Sequence, residues 1–193
     1  MIKSNPLVGD LQGGGAMDAA KQLVNEVILE NLDIPKCSPS NAIRVADLGC
    51  AVGPNTFFQV QNIPDAVELK YRNQGLNSQI PDFQAFFNDQ TSNDFNTLFA
   101  SLPPNRRYLS AVVPGSFYCR LFPNASLHII YSSCAIHWLS ALPKEMANRS
   151  SPAWNKGRIY HLNAADEVIE TYSAQHAKDM AQFLDKRRLL WVD

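Results

Sequence analysis

The stretch that most restricts the fold is Ile43-Arg-Val-Ala-Asp-Leu-Gly49, a short apolar run that stops at a glycine and is followed by Gly53-Pro54. β-Branched residues suit a pleated strand, glycine ends it, and proline is favoured at the first helical position. The pattern predicts a strand over 43–49, a tight turn, and a helix over 57–71. In an open α/β sheet such a turn lies at the carboxyl ends of the strands, where ligands bind. The rest of the chain continues the alternation. Ala16, Ala20, Leu23, Val24, Val27 and Ile28 recur at helical spacing and predict a helix over 16–32. Strands are predicted over 82–88, 108–113 and 126–132, a short helix with Phe95, Leu98 and Phe99 behind an Asp94 cap, and a long helix over 166–188. Pro64 predicts a kink or early stop in the second helix, because an interior proline costs about 3 kcal/mol. Strands alternating with helices give an α/β fold with a mostly parallel sheet of four strands.

At 193 residues the chain fits one domain, 1–193, with a real hydrophobic core. Lys and Arg total 17 against 18 Asp and Glu, so no basic excess draws it to nucleic acid or an anionic membrane. The start has no apolar leader and no stretch reaches membrane-spanning length. These features predict a cytoplasmic, non-membrane protein. Cys37, Cys50, Cys119 and Cys134 lie far apart with no C-x-x-C pair, which suggests neither a zinc site nor a disulfide framework.

Two places carry chemistry on their own residues. The Gly49-x-x-x-Gly53 spacing departs from the G-x-G-x-x-G fingerprint and so argues against a nicotinamide-dependent oxidoreductase. Taken alone, those glycines suit a plain structural turn or a close approach of backbone to ligand. Asp89 closes the second predicted strand, where a carboxylate accepts from both hydroxyls of a ribose. Taken alone, a helix cap or a solvated aspartate suits it better, and the glycines upstream tip the reading toward the ribose.

The strings ADLGCAVGPNT (46–56), FFNDQTSNDFNTLFASLP (86–103), VPGSFYCRLFPNASLHIIYSS (113–133), HWLSALP (137–143) and WNKGRIY (154–160) closely resemble the plant SABATH family of S-adenosylmethionine-dependent methyltransferases. Those enzymes esterify small carboxylic acids or N-methylate purine alkaloids. The resemblance runs from about residue 12 to about 188 and covers roughly the first half of a family member. It implies a Rossmann-like methyltransferase sheet truncated before the last strands and the helical cap. An apolar edge would then be left along the fourth strand.

The resemblance implies that Gly49, Cys50 and Asn55 line the S-adenosyl-L-methionine pocket, that Asp47 supports the turn, and that Asp89, with Gln90 beside it, takes the ribose. Ser116 and Phe117 would flank the adenine, and Gln12 and Trp138, with His137 and Cys134, would hold the substrate. Gln90 departs from the leucine usual there, and Ala51-Val52 replace a common Ser-Ser. The family's N-terminal string survives poorly, so residues 1–15 form a degenerate lid. Asn155 matches a position assigned to magnesium in some relatives. One amide oxygen cannot hold a hard cation alone, and a surface turn residue is the expectation its own surroundings favour. Family members commonly pair as homodimers, so the resemblance also implies a homodimer.

The implied reaction is in-line attack of a substrate carboxylate on a sulfonium methyl. A carboxylic acid is already ionised at neutral pH, so no general base is needed, although His137 would serve as one for an N–H substrate. Trp138 and Gln12 are neutral donors that orient a carboxylate without quenching its oxygen. Two readings stand side by side. One is a small-acid carboxyl methyltransferase represented by its cofactor half. The other is a non-catalytic relative that at most binds cofactor or pairs with a full-length homologue.

Overall fold

In the computed structural model of the protein, residues 14–34, 42–158, 160–161, 163–188 and 190 are described. The elements run α1 (Gly14–Asn31), β1 (Ala42–Leu48), α2 (Pro54–Asn73), β2 (Asp82–Asp89), α3 (Phe95–Ala100), β3 (Leu109–Pro114), β4 (Ile129–Tyr131), α4 (Lys144–Ala147) and α5 (Asp166–Arg188). All neighbouring strands pair in parallel, in the order β3-β2-β1-β4. The chain therefore winds outward from β1 to β3 and crosses back to the other side of β1. This reversal makes the carboxyl ends of β1 and β4 a topological switch point, the place where open α/β sheets bind ligands.

Period-two alternation divides β1 and β2 between two cores. Ile43, Val45, Phe83, Ala85 and Phe87 point to one side and pack with Ile28 of α1 and Phe57, Val60, Ile63, Val67 and Tyr71 of α2. Ala46 and Leu48 point to the other side, with Phe117, Tyr118, Phe122, Leu127 and Leu190, and Phe183 of α5 packs against them. α1 is held to α2 partly by the buried Lys70, whose ammonium donates to the carbonyls of Ile28 (3.2 Å) and Leu29 (2.8 Å) near the end of α1. A cation is favoured at that end of a helix, where the carbonyl dipoles point outward.

Two expectations are corrected. α2 runs its full 20 residues through Pro64, so the predicted early stop does not occur. Pro64 lies on the buried face beside Ile63, Ala66 and Val67, and burial of these apolar groups, about 1.5–3 kcal/mol for each large one, outweighs the missing hydrogen bond. The fourth strand is only Ile129–Tyr131. Upstream, the amides of Ser126 and Leu127 donate to the carbonyl of Leu190 (3.1 and 3.0 Å). The amide of Arg44 donates to the imidazole Nδ1 of His128 (3.0 Å), where a ladder would use a carbonyl. The apolar edge expected along 126–132 is thus a short one of half-buried side chains.

At the carboxyl end of the sheet the strand tips are tied together. Asn88, fully buried, donates from Nδ2 to the carbonyls of Val113 (2.7 Å) and Gly115 (2.9 Å), and its own carbonyl accepts from the amides of Gly49 (2.8 Å) and Cys50 (2.9 Å). Asn88→Ala would take the side-chain donor from two half-buried carbonyls and is expected to cost about 1–3 kcal/mol of stability. A urea-denaturation curve of the variant superimposing on that of the natural chain would show that the tips are held by something else.

Candidate cofactor and substrate site

The β1–α2 turn can form only with glycine at position 49. Its φ is +83°, and a Cβ there would lie 2.2 Å from the Cβ of Ala135. Ala51, two residues on, also adopts a left-handed φ of +53°. A non-glycine residue holds such a conformation only where its surroundings enforce it. Here the Ala51 amide donates to Asp89 Oδ2 (2.7 Å), and the Ala51 carbonyl accepts from Asn93 Nδ2 (3.1 Å). The tip of β2 thereby dictates the shape of the turn after β1.

Asp47 and Asp89 stand on the same face of adjacent strands. Asp47 is buried, and its carboxylate accepts from the hydroxyl of Thr56 in the first turns of α2. Burial pushes its carboxyl up to about 6, the Thr56 hydrogen bond opposing this and the charge of Asp89 adding to it. Asp89 is half-buried, with one oxygen on the Ala51 amide and the other on the amide of Gln90 (2.7 Å). A carboxylate has about four acceptor positions, so two remain. Among the described residues no ion pair involves either carboxylate. The two strand tips therefore present uncompensated negative charge.

The other sequence-derived positions distribute as follows. Cys50 is buried, and burial, then Asp47, then Asp89 push its thiol up, so it stays protonated and packs as an apolar group. Asn55 lies exposed at the start of α2, and Gln90 is exposed. Ser116 is half-buried and accepts from the Tyr118 amide (3.3 Å). Phe117 is buried, its ring 4.6 Å from that of Tyr118 and 6.2 Å from that of Phe183. His137 and Trp138 lie side by side with rings 5.6 Å apart, and Trp138 is 68% exposed. Cys134 is exposed with φ +54°. Gln12, and most of the lid expected over 1–15, lie outside the described residues.

Asn155 corrects its expectation. It is buried, and its Nδ2 donates to the carbonyls of Arg158 (2.8 Å) and Tyr160 (2.9 Å), shaping the 155–160 loop from inside. Among the described residues no three His, Cys, Asp or Glu side chains converge as metal ligands. This donor set does not fit a magnesium ion, which needs near-octahedral oxygen coordination.

Sequence reasoning missed Asn88, Thr56 and Asn93, which hold the strand tips and the turn through hydrogen bonds to neighbouring protein groups. Thr56 and Asn93 lie within the strings that carry the resemblance, but nothing in those strings marks them as support.

Comparison with known proteins identifies the family and the fold. A family profile described as SAM dependent carboxyl methyltransferase matches residues 11–189. The chain belongs to that family. It is 46% identical over 176 residues to loganic acid O-methyltransferase of Catharanthus roseus, covering 90% of this chain and 47% of that enzyme. It is 45% identical over 174 residues to farnesoic acid carboxyl-O-methyltransferase of Arabidopsis thaliana, covering 90% of this chain and 49% of the other. A solved structure of loganic acid methyltransferase with SAH superposes with a TM-score of 0.84 at 45% identity, covering 92% of this chain and 50% of that one. This carboxyl methyltransferase relative thus spans about half the length of the proteins it matches. Among its described residues no helix is long and apolar enough to cross a membrane.

The raised Asp47 carboxyl sets a pH dependence. A group whose folded-state pKa exceeds its unfolded value stabilises the fold below the unfolded pKa and loses that contribution as pH rises through the folded one. Asp47→Asn keeps the Thr56 hydrogen bond without the buried charge. It is expected to raise stability at pH 7 by about 1–3 kcal/mol, the gain fading between pH 6 and 4. Denaturant melts at pH 7 and pH 4 check this, and equal effects at both pH values would mean that Asp47 is not held up by burial.

Proposed function

We propose that the crevice at the ends of β1, β2 and β4 binds S-adenosylmethionine, and that the family reaction it serves is methyl transfer to the carboxylate of a small plant acid. The observation that carries this reading is Asp89. Its two backbone hydrogen bonds leave two acceptor positions on a half-buried carboxylate at the end of β2, which suits the two hydroxyls of a ribose. The unpaired charge of Asp47 and Asp89 favours a ligand that carries positive charge. Gly49, Cys50 and Asn55 border the same turn, and Ser116 and Phe117 form the wall beyond the tip of β3.

When bound, the cofactor supplies an electrophilic methyl on a cationic sulfur. The chain's own part is to bind and to orient. Trp138, with an indole N–H that donates only, suits one oxygen of a carboxylate and leaves the other free. His137 beside it and Cys134 before it shape the same side. Methyl transfer to an ionised carboxylate needs no base, so positioning is the main contribution, and good alignment supplies roughly 7–11 kcal/mol of a barrier. A second reading, cofactor binding without transfer, is favoured by the exposure of Trp138, whose indole no described element covers.

Calorimetric titration of S-adenosylhomocysteine into the 193-residue chain tests the site. Asp89→Ala is expected to lower affinity roughly 10- to 100-fold, the value of charge-assisted hydrogen bonds to the ribose, while Trp138→Ala leaves it unchanged. Equal affinity in the natural chain and Asp89→Ala would refute the assignment. Transfer of labelled methyl to a panel of small acids separates the two readings.

A further inference from the structure

α5 carries a row of polar side chains that hold both walls of the candidate site, and none of them belongs to the motifs at the strand tips. Asp179 is only 1% exposed. Its Oδ2 accepts from the amide of Ser140 (2.8 Å), and its Oδ1 accepts from the Ser140 hydroxyl (2.6 Å) and from Nε2 of Gln175, one turn earlier on the helix (2.8 Å). One turn beyond Asp179, Gln182 donates from Nε2 to the carbonyl of Tyr118 (3.1 Å). Further on, the buried Arg187 lies over the ring of Phe183, 4.6 Å from its centre, and donates to the carbonyl of Phe117. Positions 175, 179, 182–183 and 187 recur at helical spacing and form one stripe. The hydroxyl of Tyr118 closes the circuit by donating to the carbonyl of Trp138 (2.6 Å), with the carbonyl of Ile136 a more distant neighbour at 3.3 Å.

Packing alone does not call for these residue types. A buried carboxylate is expensive unless its oxygens are met by donors, and all the donors on Asp179 are neutral. Burial pushes the Asp179 carboxyl up, but the Ser140 and Gln175 hydrogen bonds with nearby Lys178 outweigh it and hold the group below the usual carboxylate range. Arg187 is the more telling case. Among the described residues its Nε and Nη1 are buried with no hydrogen-bond partner, an arrangement that an apolar side chain of similar size would improve for stability. What Arg187 adds over such a side chain is its hydrogen bond to Phe117.

We infer that α5 is a brace that fixes the spacing between the Phe117–Tyr118 loop and the His137–Ser140 segment, with Asp179 and Arg187 as positioning residues for the substrate side and the cofactor side. This rests on the assignment of Phe117 and Trp138 given above. Because Tyr118 touches both segments, the brace makes one rigid corner of the two walls rather than two loops that settle independently.

The test uses the 193-residue chain labelled with fluorotryptophan, the Trp138 resonance being identified by its loss in Trp138→Phe. In the natural chain this resonance should occupy a single position at neutral pH. In Asp179→Ala it should sit at a displaced position at the same pH. Ser140→Ala changes an exposed residue and deletes one of the hydrogen bonds, so it should displace the resonance in the same direction by less. Arg187→Met should bind S-adenosylhomocysteine more weakly. A Trp138 resonance unmoved in both Asp179→Ala and Ser140→Ala overturns the brace, as does Arg187→Met binding as tightly as the natural chain. Failure of the natural chain itself to bind would refute the cofactor assignment instead, and the Trp138 resonance would still decide the Asp179 arm.

Discussion

Asn88 is the constraint on which the carboxyl end of the sheet depends. One residue at the tip of β2 holds β3 through its side chain and the turn after β1 through its backbone carbonyl. In a parallel sheet the ladder ends where the strands end, and the next carbonyls and amides need partners of their own. A short amide at that position meets them from inside, where water does not reach. The remaining features of the turn follow. With the Gly49 and Cys50 amides held on Asn88, the chain must pass Ala135 too closely for a Cβ, and Ala51 must enter the left-handed region to reach Asp89.

The electrostatics of this corner run against stability and toward binding. Two carboxylates face the same side of adjacent strands with no ion pair among the described residues, and one is buried deeply enough for its pKa to approach neutrality. A chain selected for stability alone would place an amide or a counter-charge there. Uncompensated charge beside a rigid turn is what a cationic ligand with a vicinal diol can use. The same logic applies across the site, where Arg187 keeps two buried donors unpaired among the described residues while it holds the Phe117 carbonyl.

Much of this was legible in the residues. The strand, Gly49 and Pro54 announced the β1–α2 unit, and Asp94 caps α3 through the Thr97 amide as its position suggested. The parallel sheet followed from alternation, and the family from strings now matched over residues 11–189. What escaped was set by partners distant in the chain. Pro64 read as a break because a local rule cannot weigh the buried face around it. Residues 126–128 read as strand because apolar patterning does not reveal that the Ser126 and Leu127 amides turn to the Leu190 carbonyl, or that the Arg44 amide meets the His128 imidazole while the His128 amide still pairs with Arg44. Asn155 read as a surface residue because nothing local shows a loop folded around its amide. Asp179 and Arg187 gave no signal, since their partners lie 39 and 70 residues away.

The account holds that this half-length chain builds a working cofactor crevice from its own residues. A thermal melt of the 193-residue chain with and without S-adenosylhomocysteine tests that most directly. At about 100 times its dissociation constant, a ligand bound only by the folded state adds roughly 2.7 kcal/mol, and the midpoint should rise by roughly 5–10 °C. A cooperative melt whose midpoint does not move at saturating ligand would contradict the account.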